Sequence, residues 1–167
     1  EAPGFPDSIQ REAVPMGGEI MGAGADDRFS MAIEAQADPK SGYLDRIQVV
    51  KGWINATGEA QERVYDAAWS GDDRLLSNGS LSAVGSSVDL KTGLTANSIG
   101  SPRLTVVWQD PEFDPAQSAF YYVRVLQIPT ARHSLLDKLA LGDEDIDTRR
   151  PDTIQERAYT SPIWYRP

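Results

Sequence analysis

The chain has a single imidazole, His133, and no thiol, and these two facts bound its chemistry before anything else does. A zinc site with two or more histidines cannot be built, and thiolate metal sites, disulfides and a cysteine nucleophile are excluded. A Ser-His-Asp triad could form only around His133, and no Gly-x-Ser-x-Gly elbow accompanies it. Its position shortly after Pro129, near an expected helix start, suits a surface or capping role, so no catalytic residue is assigned. The densest acidic run, Asp143 to Asp147, places Asp143, Asp145 and Asp147 at alternate positions, as hard-cation ligands would be. Thr148-Arg149-Arg150 follows where a calcium loop needs glycine, so the run is a weak cation candidate set against a solvated loop balanced by its arginines. Asp110-Pro111 and Asp114-Pro115 read as Asx-turns before proline. Acids are plentiful, but no spacing singles out a glycosidase pair.

Other residues could bind rather than react. Trp53, Trp69, Trp108 and Trp164 could form a sugar-stacking platform, although each lies in or beside a strand, where core packing is the default. Arg46, Arg124 and Arg157 fall in strand-like segments where charge is unusual; each is expected to pair with an acid at the sheet surface or to meet another domain. Pro15–Gly22 (PMGGEIMG) has the glycines of a phosphate loop without its Lys-Ser/Thr, and lacks the third glycine of a dinucleotide fingerprint. It reads as a turn-rich lead-in.

The elements that must position these residues are mainly strands. Ala119–Ile128 (AFYYVRVLQI) is aromatic and β-branched without Gly or Pro, with Tyr121, Val123 and Val125 on one face and Phe120, Tyr122 and Arg124 on the other. Phe29–Ala37 alternates, Asp38–Gly42 turns, and Tyr43–Ile54 and Glu62–Trp69 form a hairpin, with Gly52 as the expected bulge. Arg103–Trp108 and Ile154–Tyr165 complete six good strands, and Ala83–Leu90 is a weaker seventh. The sequons at Asn55 and Asn78 are expected to mark turns. His133–Leu141 carries leucines at helical spacing and should close at Gly142. The pattern predicts a mainly β, immunoglobulin-like antiparallel β-sandwich with a short helical insertion. Residues 1–27 read as an extended arm or linker, 28–167 as the sandwich, and 129–153 as its partly helical insertion.

At 167 residues, one domain can bury roughly 70% of its unfolded surface. Twenty-five acidic against sixteen basic residues give a net charge of −9. Such a surface repels nucleic acid and anionic lipid. No apolar run approaches the ~18 residues of a membrane span.

Several blocks in order carry a resemblance: PMGGEI (Pro15–Ile20), LDRIQVVKGW (Leu44–Trp53), VYDAAWS (Val64–Ser70), VGSSVDLKTGLTANSIG (Val84–Gly100), LTVVWQDPEFDP (Leu104–Pro115), AFYYVRVLQIPTARHS (Ala119–Ser134) and IQERAYTSPIWY (Ile154–Tyr165). Together they resemble the C-terminal portion of the bacterial family known as domain of unknown function 3604. In this chain His133 stands where members typically have tryptophan. The resemblance implies a larger parent similar to the polymerase-and-histidinol-phosphatase (PHP) superfamily of metal-dependent phosphoesterases. Its divalent metal and His-rich ligands would lie upstream, with no cofactor in this chain, and a periplasmic or secreted parent is implied.

On this reading the chain is the non-catalytic β-sandwich of a metallohydrolase. It would pack against its own catalytic barrel and help shape the mouth of that site. Arg132, Gln155, Glu156 and Arg157 are the candidate inter-domain or ligand contacts, and the separated domain should expose an apolar patch or form a homodimer through it. The alternatives are a glycan- or small-ligand-binding module and, more weakly, a stand-alone hydrolase.

Overall fold

The computed structural model describes residues 13–22, 24, 27–142 and 149–167. Strict alternation in Phe29–Ala37 becomes β2 (Ser30–Gln36), with Met31 and Ile33 buried and Ser30, Ala32 and Glu34 facing solvent. It pairs antiparallel with β5 (Arg103–Gln109) in register from Ser30↔Gln109 to Gln36↔Arg103. These two strands form one small sheet.

The larger sheet is built around β3 (Leu44–Ile54) and β6 (Ala119–Gln127), which pair antiparallel along most of their length. Outside them lie β4 (Ala60–Trp69) on one side and, on the other, β10 (Ile163–Arg166) followed by β1 (Glu19–Met21). β9 (Arg157–Tyr159) pairs with the other end of β6. The antiparallel expectation needs one correction: β1 runs parallel to β10. Glu19–Met21 belongs to the stretch read as an arm, yet it closes the edge of this sheet.

The inner face of the large sheet contributes Ile47, Val49, Tyr121, Val123 and Tyr165 to a core shared with Phe29, Met31, Ile33, Leu104 and Trp108 of the small sheet and its approach. Phe29 stacks on Tyr121 with centroids 3.9 Å apart, and Trp108 meets both Tyr65 and Tyr121. Aromatic pairs of this kind are worth ~0.5–1.5 kcal/mol beyond the area they bury. The protein is thus mainly β, with two sheets packed over one aromatic-rich core.

Three local readings change. Gly52 does not form the bulge. The β3–β4 register shifts between Ile47 and Gln48, leaving Ala67 as the extra residue, whereas at Gly52 a Cβ would run into the Phe120 ring. Ala83–Leu90 forms no strand; an isolated bridge, Val88↔Thr95, is all that remains of it. Ile154–Tyr165 is not one strand but three pieces: β8 (Thr153–Ile154), β9 and β10. β8 leaves the large sheet and pairs with β7 (Thr130–Ala131). Between β9 and β10, Thr160 exchanges bonds with the Val123 backbone before Pro162, which has no N–H to give.

The helix forms as read: α1 (His133–Leu141) ends at Gly142, whose φ of 65° is left-handed and whose N–H reaches the Leu139 carbonyl. Leu135 is its buried residue. The turns also form as read. Asp110 and Asp114 accept from the backbone N–H of Glu112 and Ala116, both at 2.9 Å, and Asn55 and Asn78 accept from Thr57 and Ser80 at 3.0 Å. No helix among the described residues is long and apolar enough to cross a membrane.

Candidate functional site: the outer face of the large sheet

With its inner face committed to the core, the large sheet turns its other face outward. Strand pairing arranges that face in rows. Trp164, Phe120, Gly52 and Glu62 stand opposite one another in one row, Tyr122, Val50 and Val64 in the next, and Tyr159, Arg124, Gln48 and Asp66 in the third. Because Gly52 has no side chain, the Phe120 ring lies down over it. Phe120 then meets Trp164 at 5.4 Å and Tyr122 at 6.4 Å, and Tyr122 meets Tyr159 at 6.2 Å. The result is a continuous aromatic ribbon in which Trp164 is 46% and Tyr159 58% exposed. At its Trp164 end lies a groove of ≈ 660 Å³ lined by Trp53, Ile54, Glu62, Phe120 and Trp164.

The third row is polar. Asp45 sits at a second register shift, between β3 and β6, where its side chain is fully buried. It receives Arg46 Nε at 3.1 Å, Arg74 at 2.7 Å and Gln155 Nε2 at 2.7 Å. Arg46 also lies 3.6 Å from Asp66. Gln48 bridges onward, donating to Asp66 Oδ1 at 2.7 Å and accepting from Arg124 Nε at 2.8 Å. Two arginines therefore share two carboxylates, while Arg124 receives only a neutral amide.

A separate buried cluster joins the sheets. Lys51 Nζ lies 2.6 Å from Asp110 Oδ2 and 2.8 Å from the Glu112 carbonyl, and the Tyr121 hydroxyl donates to the same Asp110 oxygen at 2.7 Å. Burial, then the hydrogen bond to Asp110, pushes the Tyr121 hydroxyl well above its ordinary range. Tyr65, which donates to Glu112 at 2.9 Å, is raised for the same two reasons in the same order. Glu112 also pairs with Arg63, whose guanidinium it holds protonated more firmly than usual. This cluster has its hydrogen bonds made internally, which is the arrangement of a structural clasp.

The sequence-selected residues do not converge. Glu156 and Arg157 line a second pocket of ≈ 400 Å³, together with Glu34 and Asp38. Gln155 turns away to Asp45, and Arg132 binds the Pro151 carbonyl through Nε at 3.1 Å. His133 is the exposed first residue of α1. Of the tryptophans, Trp108 belongs to the core while Trp164 stands on the outer face. Asp143, Asp145 and Asp147 lie outside the described residues. Among the described residues, no three acids or histidines are grouped as metal ligands would be. The outer aromatic face was legible as a second apolar side of Ala119–Ile128; that Trp164 and Tyr159 extend it depends on pairings the sequence does not specify.

A family model described as "Protein of unknown function (DUF3604)" matches residues 1–167. No curated protein matches, and no solved structure does.

Proposed function

This chain belongs to the DUF3604 family, and we propose that it is the non-catalytic β domain of a larger, PHP-like metal-dependent hydrolase. On this proposal it docks on the catalytic part through the outer face of its large sheet. The observation that carries the reading is the aromatic ribbon Trp164–Phe120–Tyr122–Tyr159 on a sheet whose other face is already buried. Water-facing aromatic patches of this extent mark contact surfaces, and Trp, Tyr and Arg are the residues that dominate such contacts. The two packed sheets support the finer reading of an immunoglobulin-like sandwich. The second pocket, with Glu156 and Arg157, opens at the end of the core beside Leu44 and Val125, and on this proposal it is a secondary contact that could help shape the mouth of the neighbouring site.

Oxidative footprinting tests the docking. Tyr159 and Trp164 should be oxidised readily in this chain alone and be protected in the longer gene product. Equal reactivity in both would refute it. A second reading, a glycan- or small-ligand-binding module, is favoured by one observation: the groove beside Trp164 and Phe120 has the volume of a ligand site. Quenching of tryptophan fluorescence by added oligosaccharide would support that reading.

A further inference from the structure

We propose that Arg124, framed by Tyr122 and Tyr159, receives a carboxylate side chain from the surface that covers this face. The inference rests on the docking reading above and names the chemistry of the partner.

Arg124 is half-buried in a central strand and stands directly opposite Tyr159 on one side and Gln48 on the other. Among the described residues its sole polar partner is the Gln48 side-chain oxygen, engaged through Nε. Among the described residues, the two terminal nitrogens of the guanidinium have no acceptor and the Tyr122 and Tyr159 hydroxyls make no hydrogen bond. Nearby acids are committed elsewhere: Asp45 to Arg46 and Arg74, and Asp66 to Gln48 and Arg46.

A guanidinium held in the middle of a sheet face without a counter-charge is unusual in any protein, and more so in one of net charge −9. Gln48 fixes the Nε edge and leaves the planar fork for a bidentate acceptor. Two phenolic hydroxyls on the same face add donors for the same group. An aspartate or glutamate on the covering surface would take the guanidinium fork; a lysine or an apolar side chain there would leave the guanidinium covered without a counter-charge. The aromatic ribbon would supply the dry surround that strengthens such a pair.

The test uses the longer gene product with Arg124→Gln, Arg124→Glu and Arg124→Lys, read by oxidative footprinting of Tyr159 and Trp164. Arg124→Gln and Arg124→Glu should shift the docked-to-open ratio by roughly thirtyfold or more. Arg124→Lys should give an intermediate loss, since it keeps the charge and loses the fork. Circular dichroism of the same variants in this chain alone checks that the sheet has formed, and Arg124→Gln decides the matter if the glutamate variant does not fold. Unchanged protection in a folded Arg124→Gln variant would overturn the carboxylate inference while leaving docking intact. Absence of protection in the wild-type longer protein would instead overturn the docking reading, and this inference with it.

Discussion

Lys51 and Asp110 meet at 2.6 Å across the seam between the two sheets, where the residues are only 3% and 2% exposed. Lys51 shares the inward parity of Ile47 and Val49 on β3, and Asp110 follows directly on β5. The pair therefore ties the large sheet to the small one, with Tyr121 and the Glu112 carbonyl completing the coordination. The net worth of a buried ion pair against an apolar replacement is small, but breaking it on one side is costly.

Lys51→Met should therefore destabilise the chain by about 3–5 kcal/mol, because it leaves the Asp110 carboxylate buried and opposed only by a hydroxyl and a backbone amide. Removing both charges with Lys51→Met and Asp110→Leu should recover much of that loss. Urea unfolding of the single and double variants measures both; a double variant no better than the single would mean that the charge is not the cause.

Alkaline stability follows from the tyrosines. Tyr121 and Tyr65 have their hydroxyls raised in the folded state, so the fold binds phenolic protons that the unfolded chain gives up near pH ~10. Their contribution is fully present below that pH and declines as pH rises above it through the raised folded values. Tyr121→Phe should cost roughly 1.5–3 kcal/mol at neutral pH, as the hydrogen bond to a charged acceptor is lost, and should flatten the alkaline decline. Urea midpoints between neutral pH and pH ~11 give the slope; an unchanged slope would count against the assignment.

Gly52 sets the shape of the outer face. Gly52→Val should displace the Phe120 ring and cost about 1–3 kcal/mol through overpacking. The same substitution should uncouple Phe120 from Trp164, seen as a shift in tryptophan emission without loss of the far-ultraviolet sheet signal.

The outer aromatics should matter little to this chain by itself. Trp164→Ala removes a side chain that is 46% exposed, so its thermal midpoint should move far less than for truncation of Tyr121, which is fully buried. In the longer protein the same change should loosen docking, measured as faster proteolytic cleavage between the two parts.

Much of the architecture could be read in advance because local patterns and tertiary contacts agreed. Ala119–Ile128 had strand composition and lies between two partners; His133–Leu141 had helical spacing and its closing glycine. Where they conflicted, the reading failed. Ala83–Leu90 has strand-like residues but gains no ladder, and Ile154–Tyr165 is cut by the need to serve three positions with one Pro-containing segment. The site was half legible. Arg124 stood out as a charge on a strand, and its failure to find an acid became visible only once Asp45 and Asp66 were seen to be occupied by other groups. Lys51 kept inward parity in the sequence, but its partner lies across the core, at a distance along the chain that no local rule bridges.

On this proposal the chemistry resides outside this chain. Metal analysis and a phosphoesterase panel, run in parallel on this chain and on the longer gene product proposed for it, address that directly. Bound divalent metal and turnover in the longer protein, with neither in this chain, is the predicted result. Stoichiometric metal and turnover in this chain alone, abolished by His133→Ala, would contradict it.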